Sequence, residues 1–350
     1  MTAHPTDLHF AALDFVYVEL TVKCNLRCHF CDNEMRNLYR DMPVEQFHAI
    51  VDQLKPGTRL GLHGLGEPTL HKQLVDLVRY AKARGLYVYF NTNHTVTTDA
   101  QMAGLVDAGL DEMRISMSAG SREGFEAYSG KDLFDALIDR TRRMVAIRGD
   151  RTRPILRLIF VLTRESHPEL PRVVALADEL GVDELQVQTH LDWGKPPSED
   201  EPVGGLGLTV DELEALRPGV TAAARSASRV QVVLPFAETG PVAERNAEPG
   251  RCQWPFNATW ITADGVVTPC CNLHDPRQIN FGNAFRDRLE EIWLGPSYTE
   301  FRERYRADAV DACKTCPVHF GQFKSYRYQA TSADDAEAAA PPAEHRDEPA

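Results

Sequence analysis

From Phe15 to about His190 the chain alternates short apolar runs with stretches whose apolar residues recur every three to four positions. The short runs, at 15–22, 59–63, 86–90, 112–118, 155–163 and 184–189, predict six strands. Between the second and third, Leu74, Leu77, Val78 and Ala81 repeat at i, i+3, i+4 and i+7 and give one apolar helix face. Gly85 stands where that helix should stop, and Gly109 closes the similar segment 98–108. Strands alternating with helices predict βαβ units and a parallel sheet, an α/β fold.

After His190 the pattern breaks. Residues 192–208 are rich in Gly and Pro and read as a loop, and Thr209-Val210-Asp211-Glu212 has the form of a capping box that starts a helix. A strand is expected near Arg229–Leu234. From Thr331 to Ala350 there is almost no large apolar side chain, so this tail is expected to be disordered. The expected organisation is an N-terminal extension (1–14), a barrel (15–191), a connecting segment (192–250), a small cysteine-bearing domain (251–325) and the tail (331–350).

Composition narrows the function. The 51 Asp and Glu against 38 Lys and Arg leave a formal charge of −13, unsuited to nonspecific binding of nucleic acid or anionic membrane. No run is long enough to span a bilayer, and the chain is expected to be cytoplasmic. The eight cysteines are too sparse for a disulfide scaffold and fall into two groups, with none between Cys31 and Cys252. Two groups suggest two metal sites.

The first group is Cys24-Asn25-Leu26-Arg27-Cys28-His29-Phe30-Cys31, on the loop leaving the first strand. Three thiolates at these spacings can hold three corners of a cubane iron–sulfur cluster and leave one iron open. A zinc knuckle or buried structural thiols are the alternatives. Barrels of alternating strands and helices carry their chemistry at this end of the strands. In the second group Cys252, Cys270 and Cys271 flank a hairpin signal, Thr259–Thr262 and Val266–Thr268 around Ala263-Asp264-Gly265, and Cys313-Lys314-Thr315-Cys316 follows. Four of these can close around one metal, and a zinc ribbon is the competing reading.

The first group resembles the signature of the radical S-adenosylmethionine (SAM) superfamily. The resemblance implies a partial (β/α)6 TIM-like barrel in which the amine and carboxylate of SAM chelate the open iron. It also implies that Phe30 packs by the adenine and that the backbone of Gly64-Leu65-Gly66-Glu67 binds the SAM ammonium, with Glu67 offering a carboxylate near a cation. Asn91-Thr92-Asn93-His94 is similar to the family's Thr-Asn-Gly turn, with His94 at the glycine and Asn93 beside the cofactor. A hydroxyl of Ser116 or Ser118 would meet the ribose. Arg157, the one charge among Ile155, Leu156, Leu158 and Ile159, needs a partner, and the SAM carboxylate is the one expected. Gln186, Gln188 and His190 share one face of the sixth strand, a polar wall on which Gln188 would face the cofactor.

The second group resembles the SPASM auxiliary-cluster domain in its shortened Twitch form, which implies a second [4Fe–4S] cluster on Cys252, Cys270, Cys313 and Cys316, with Cys271 spare. The cysteine spacing is similar to that of the 2-deoxy-scyllo-inosamine dehydrogenases of aminoglycoside assembly. The activity so implied is that of an oxidoreductase of antibiotic biosynthesis: a 5′-deoxyadenosyl radical takes hydrogen from a carbinol carbon of a sugar, aminocyclitol or sugar nucleoside, and a ketone results. His190, Asp192 and Arg164 are candidate bases for the hydroxyl proton, and a flavodoxin- or ferredoxin-type protein is the expected electron donor. Redox-neutral dehydration, decarboxylation or epimerisation is the first alternative. A peptide maturase is the second, disfavoured because only 23 residues precede Cys24.

Overall fold

The structure, a computed structural model, describes residues 10–33, 40–190, 207–235, 252–314 and 316. Its barrel runs β1 (Phe15–Val18), α1 (Val44–Val51), β2 (Arg59–Gly61), α2 (Leu74–Lys82), β3 (Tyr87–Thr92), α3 (Asp99–Asp107) and β4 (Glu112–Ser116). It continues with α4 (Arg122–Ser129), α5 (Phe134–Arg148), β5 (Ile155–Leu162), α6 (Leu170–Leu180), β6 (Glu184–Thr189), α7 (Val210–Arg225) and β7 (Gln231–Val233). All six expected strands form, each parallel to its neighbour. The first ends at Val18 rather than residue 22, because Thr21 leaves the sheet for a bridge with Asp41. Gly85 and Gly109 follow their helices with φ of +72° and +79°, a left-handed backbone that glycine adopts without strain. The Thr209 capping box makes both of its bonds and starts α7.

Period-two alternation sorts the strands into two faces. Val16, Leu60, Val88, Met113, Leu158 and Leu185 are fully buried in the main hydrophobic core. The inner face is polar and aromatic. There Glu112, 1% exposed, accepts from Arg114 at 2.8 Å, pairs with Arg157 and lies 3.8 Å from Arg59, while Arg157 also reaches Glu184 at 2.7 Å. Three guanidinium groups hold the Glu112 carboxyl down at about 2 against the cost of its burial.

The second cysteine region is built on the same sheet. After α8 (Trp254–Asn257), β8 (Ala258–Ile261) pairs in parallel with β1, Phe15 opposite Ala258 through Val18 opposite Ile261. It then turns back into β9 (Val267–Thr268), which realises the expected hairpin. The sheet order is therefore β7-β6-β5-β4-β3-β2-β1-β8-β9. Strands from both expected units thus belong to one sheet. Three helices follow: α9 (Leu289–Leu294), α10 (Pro296–Arg306) and α11 (Asp311–Lys314). Arg302 anchors them, donating to the carbonyls of Pro255 and Trp293 at 2.7 Å each and lying over the Trp293 and Tyr298 rings. Among the described residues, no helix is long and apolar enough to cross a membrane.

Candidate active site

Cys24, Cys28 and Cys31 lie on the segment leaving β1, each partly exposed. The end of α4 holds this segment: Arg27 N–H donates to the Ser129 carbonyl at 3.1 Å and His29 N–H to that of Tyr128 at 3.0 Å. Cys31 N–H turns back to the Cys28 carbonyl at 3.0 Å. From β3, the Asn93 amide nitrogen donates to Asn25 at 3.0 Å and stands 3.9 Å from the Cys24 sulfur. His94 takes φ +56°, as the glycine of the family's turn would, and its Nδ1 meets the Thr97 hydroxyl at 2.9 Å. Burial pushes its imidazole down to about 4, so the ring is neutral.

The glycine-containing loop after β2 packs closely on the segment leaving β1. Its glycines permit close approach to the chain itself. A Cβ on Gly64 would stand 2.6 Å from the Glu19 carboxyl carbon, and one on Gly66 would collide with the Thr21 carbonyl. Glu67 does not offer a carboxylate to a cation. One of its oxygens accepts from the Thr69 N–H and the Thr69 and Thr92 hydroxyls, and the other takes the Asn93 N–H at 2.7 Å. Glu67 is a clamp between this loop and the β3 turn, with a carboxyl raised by its burial.

Phe30 stacks on Tyr128 at 5.6 Å, and its carbonyl lies 3.2 Å from His190 Nε2, which places the proton on that nitrogen. Ser118 is buried and its hydroxyl accepts the Val161 N–H, which leaves Ser116 the more accessible of the two serines. Gln188 is half-buried on β6. Two arginines are corrected. Arg157 has its partner, but its fork is spent on Glu112 and Glu184 rather than turned to a SAM carboxylate. Arg164 is 40% exposed and bidentate to Glu212 at 2.7 Å, which removes it as a base. Asp192, like most of 192–208 and all of 331–350, lies outside the described residues.

The second group surrounds a small cavity of about 30 Å³, lined by Cys252, Cys270, Cys313 and Cys316 among apolar Trp254, Leu273 and Phe301. Cys271 is not on its wall. Tyr305 fixes one side by donating its hydroxyl to the Cys252 carbonyl at 2.9 Å. Burial, then the charges of neighbouring thiols, pushes Cys252 and Cys313 up and Cys270 up to about 12. An iron centre held by these residues would reverse that and keep such thiols as thiolates. Among the described residues no three His, Cys, Asp or Glu groups converge as a single-ion site. Four thiols on one apolar wall are the donor set of a thiolate-held iron–sulfur cluster.

Several site residues were missed from sequence. Asp32, next to Cys31, lies 3.6 Å from His274 Nε2, whose Nδ1 is 3.1 Å from the Cys271 carbonyl. This contact ties the two cysteine regions together. Trp254, on the cavity wall, stacks on Tyr17 of β1 at 5.2 Å. Glu19, 4% exposed, joins the β2 loop to the hairpin. As the one charge in the apolar run 15–22 it carried the same signal that singled out Arg157.

Comparison with known proteins agrees with this geometry. Residues 18–187 match the radical SAM superfamily and residues 252–317 match an iron–sulfur cluster-binding domain, SPASM. The chain is 27% identical over 329 residues to the tungsten-containing aldehyde ferredoxin oxidoreductase cofactor-modifying protein of Pyrococcus furiosus, covering 87% of this chain and 88% of that one. It is 26% identical to a PqqA peptide cyclase of Streptomyces rochei, over 93% and 87% of the two chains. Among solved structures, Streptococcus suis SuiB bound to S-adenosylmethionine is similar with a TM-score of 0.66 at 17% identity, covering 83% of this chain and 67% of that one.

Proposed function

Because this chain belongs to the radical SAM superfamily and carries a SPASM-type iron–sulfur domain, we propose that it modifies a peptide at an unactivated C–H bond. When bound, SAM and the iron–sulfur groups supply a 5′-deoxyadenosyl radical and an acceptor for the electron that the substrate gives up. The protein's own residues hold and shield. In this reading Cys24, Cys28 and Cys31 hold the SAM-binding cluster, and Cys252, Cys270, Cys313 and Cys316 the auxiliary one. Phe30, the Gly64–Gly66 backbone, Asn93, Ser116 and Gln188 surround SAM, while His190 orients Phe30 through its carbonyl.

The observation that carries the reaction class is the four-thiol cavity, set on a strand that pairs with the strand leading to Cys24. A cluster with all its irons held by protein has no vacancy for substrate, so electron transfer is the role its chemistry leaves open. The likeness to a PqqA peptide cyclase over nearly the whole chain supports a peptide substrate.

A second reading is oxidation of a carbinol carbon in a sugar, aminocyclitol or nucleoside, or a redox-neutral change of such a molecule. The likeness to a cofactor-modifying protein favours a small molecule. Reconstituted enzyme, SAM and a ferredoxin or flavodoxin donor, offered peptide and glycoside panels, separate the two by mass spectrometry. A peptide product supports the first reading; a product only from the glycosides overturns it.

A further inference from the structure

Three segments meet on the Glu19 carboxylate. It sits on the continuation of β1 that leads to Cys24, and it accepts the Leu65 N–H at 2.9 Å and the Ala263 N–H of the β8–β9 hairpin at 3.3 Å. The Gly66 N–H is directed at it as well. Its side chain fills the space a Gly64 Cβ would need, which explains a glycine there without invoking a ligand.

This arrangement orients the loop. The N–H and C=O of a trans peptide point in opposite directions. With the N–H groups of Leu65 and Gly66 turned onto Glu19, the carbonyls of Gly64 and Leu65 face the other side. Asn33, two residues after Cys31, meets the Leu65 carbonyl there at 3.0 Å. The loop therefore turns its electron-rich side toward the cysteine loop. Both Glu67 oxygens are taken up by Thr69, Thr92 and Asn93.

We propose that Glu19 is a positioning residue for the SAM site and that it releases its proton when cationic SAM binds. The inference rests on the cofactor reading above. In the absence of ligand, burial, with a smaller push from Asp264 of the hairpin and against the N–H groups of Leu65, Ala263 and Gly66, raises the Glu19 carboxyl to about 7. The surrounding charges are otherwise paired or silent. Asp264 is bound to Arg40 and Lys23 to Asp41, Glu67 is clamped, and burial keeps His63 beyond Gly64 neutral. A sulfonium and an amine placed over the loop favour the Glu19 anion. Binding then lowers its pKa, a proton leaves to solvent, and affinity for SAM rises with pH through the neutral range.

The test is equilibrium dialysis of radiolabelled SAM against reconstituted wild type and Glu19→Gln, from about pH 6 to about pH 8.5, with iron measured on every sample. Over this range wild-type affinity should rise about fivefold more than that of the variant, for one pKa unit of coupling from a free-state value of about 7. Any titration of the SAM amine itself is common to both proteins and cancels. Identical pH profiles overturn the inference. Should Glu19→Gln lose iron, the SAM-induced infrared difference spectrum of the wild type decides. Loss of a protonated-carboxyl band supports the inference, and no loss overturns it. If the wild type binds no SAM at any pH, the cofactor reading falls first and this inference with it.

Discussion

Gly66 and Thr21 lie backbone against backbone. A Cβ on Gly66 would collide with the Thr21 carbonyl and stand 2.9 Å from the Lys23 oxygen. Neither neighbour is the end of a flexible side chain, so the strain cannot be relieved by a rotamer change. The segment one residue before Cys24 must move instead.

Gly66→Ala should therefore destabilise the protein by about 1–3 kcal/mol, the usual range for overpacking. It should also weaken iron retention at Cys24, Cys28 and Cys31. Thermal unfolding and iron analysis check both, and an unchanged iron content would show that the contact yields without disturbing the cysteines.

Glu112 predicts an acid response. Its folded pKa of about 2 lies below the ordinary carboxyl value of 4.5, so its contribution is full above 4.5 and is lost as pH falls toward 2. Glu112→Gln removes the carboxylate that Arg114 and Arg157 share and should cost about 3–5 kcal/mol at neutral pH. Its stability should also fall less steeply than that of the wild type on acidification. Thermal unfolding at a series of pH values reads both.

Cys270→Ser should lower auxiliary iron and Cys271→Ser should leave it nearly unchanged, since only Cys270 lines the cavity. Iron analysis and low-temperature electron paramagnetic resonance of the reduced proteins distinguish the two; the opposite pattern reverses the assignment.

Replacing Cys24, Cys28 and Cys31 together with Ala should reduce iron from about eight to about four per chain, the content of two cubanes against one. Formation of 5′-deoxyadenosine should cease while the auxiliary signal persists.

Arg164→Ala removes an exposed ion pair with Glu212, worth at most about 1 kcal/mol. SAM cleavage should be unaffected. A large loss of turnover with intact SAM binding would return Arg164 to the chemistry.

What could be read from the sequence was local. Strand periodicity, Gly85 and Gly109 as helix stops, and the Thr209 capping box all depend on neighbours within a few positions, and each is found where expected. The two cysteine groups were legible because thiol spacing is itself local. Partnerships across the sheet were not. The run around Arg157 shows that a charge is buried, but its partners Glu112 and Glu184 come from two other strands. Glu67 looked available because Thr92 and Asn93, which occupy it, belong to the next βα unit. The pairing of β8 with β1 joins residues some 240 positions apart, and no short pattern encodes it.

That pairing gives the barrel an unusual kind of edge. A strand at the rim of a sheet presents unpaired N–H and C=O groups that invite association with another chain. Here the rim of β1 is covered by the hairpin that carries Cys270 just beyond its second strand. Excising the cysteine-bearing module would therefore do more than remove a redox centre. It would bare the flank of the strand that delivers Cys24 and remove Ala263 from Glu19. The second module is a wall of the first.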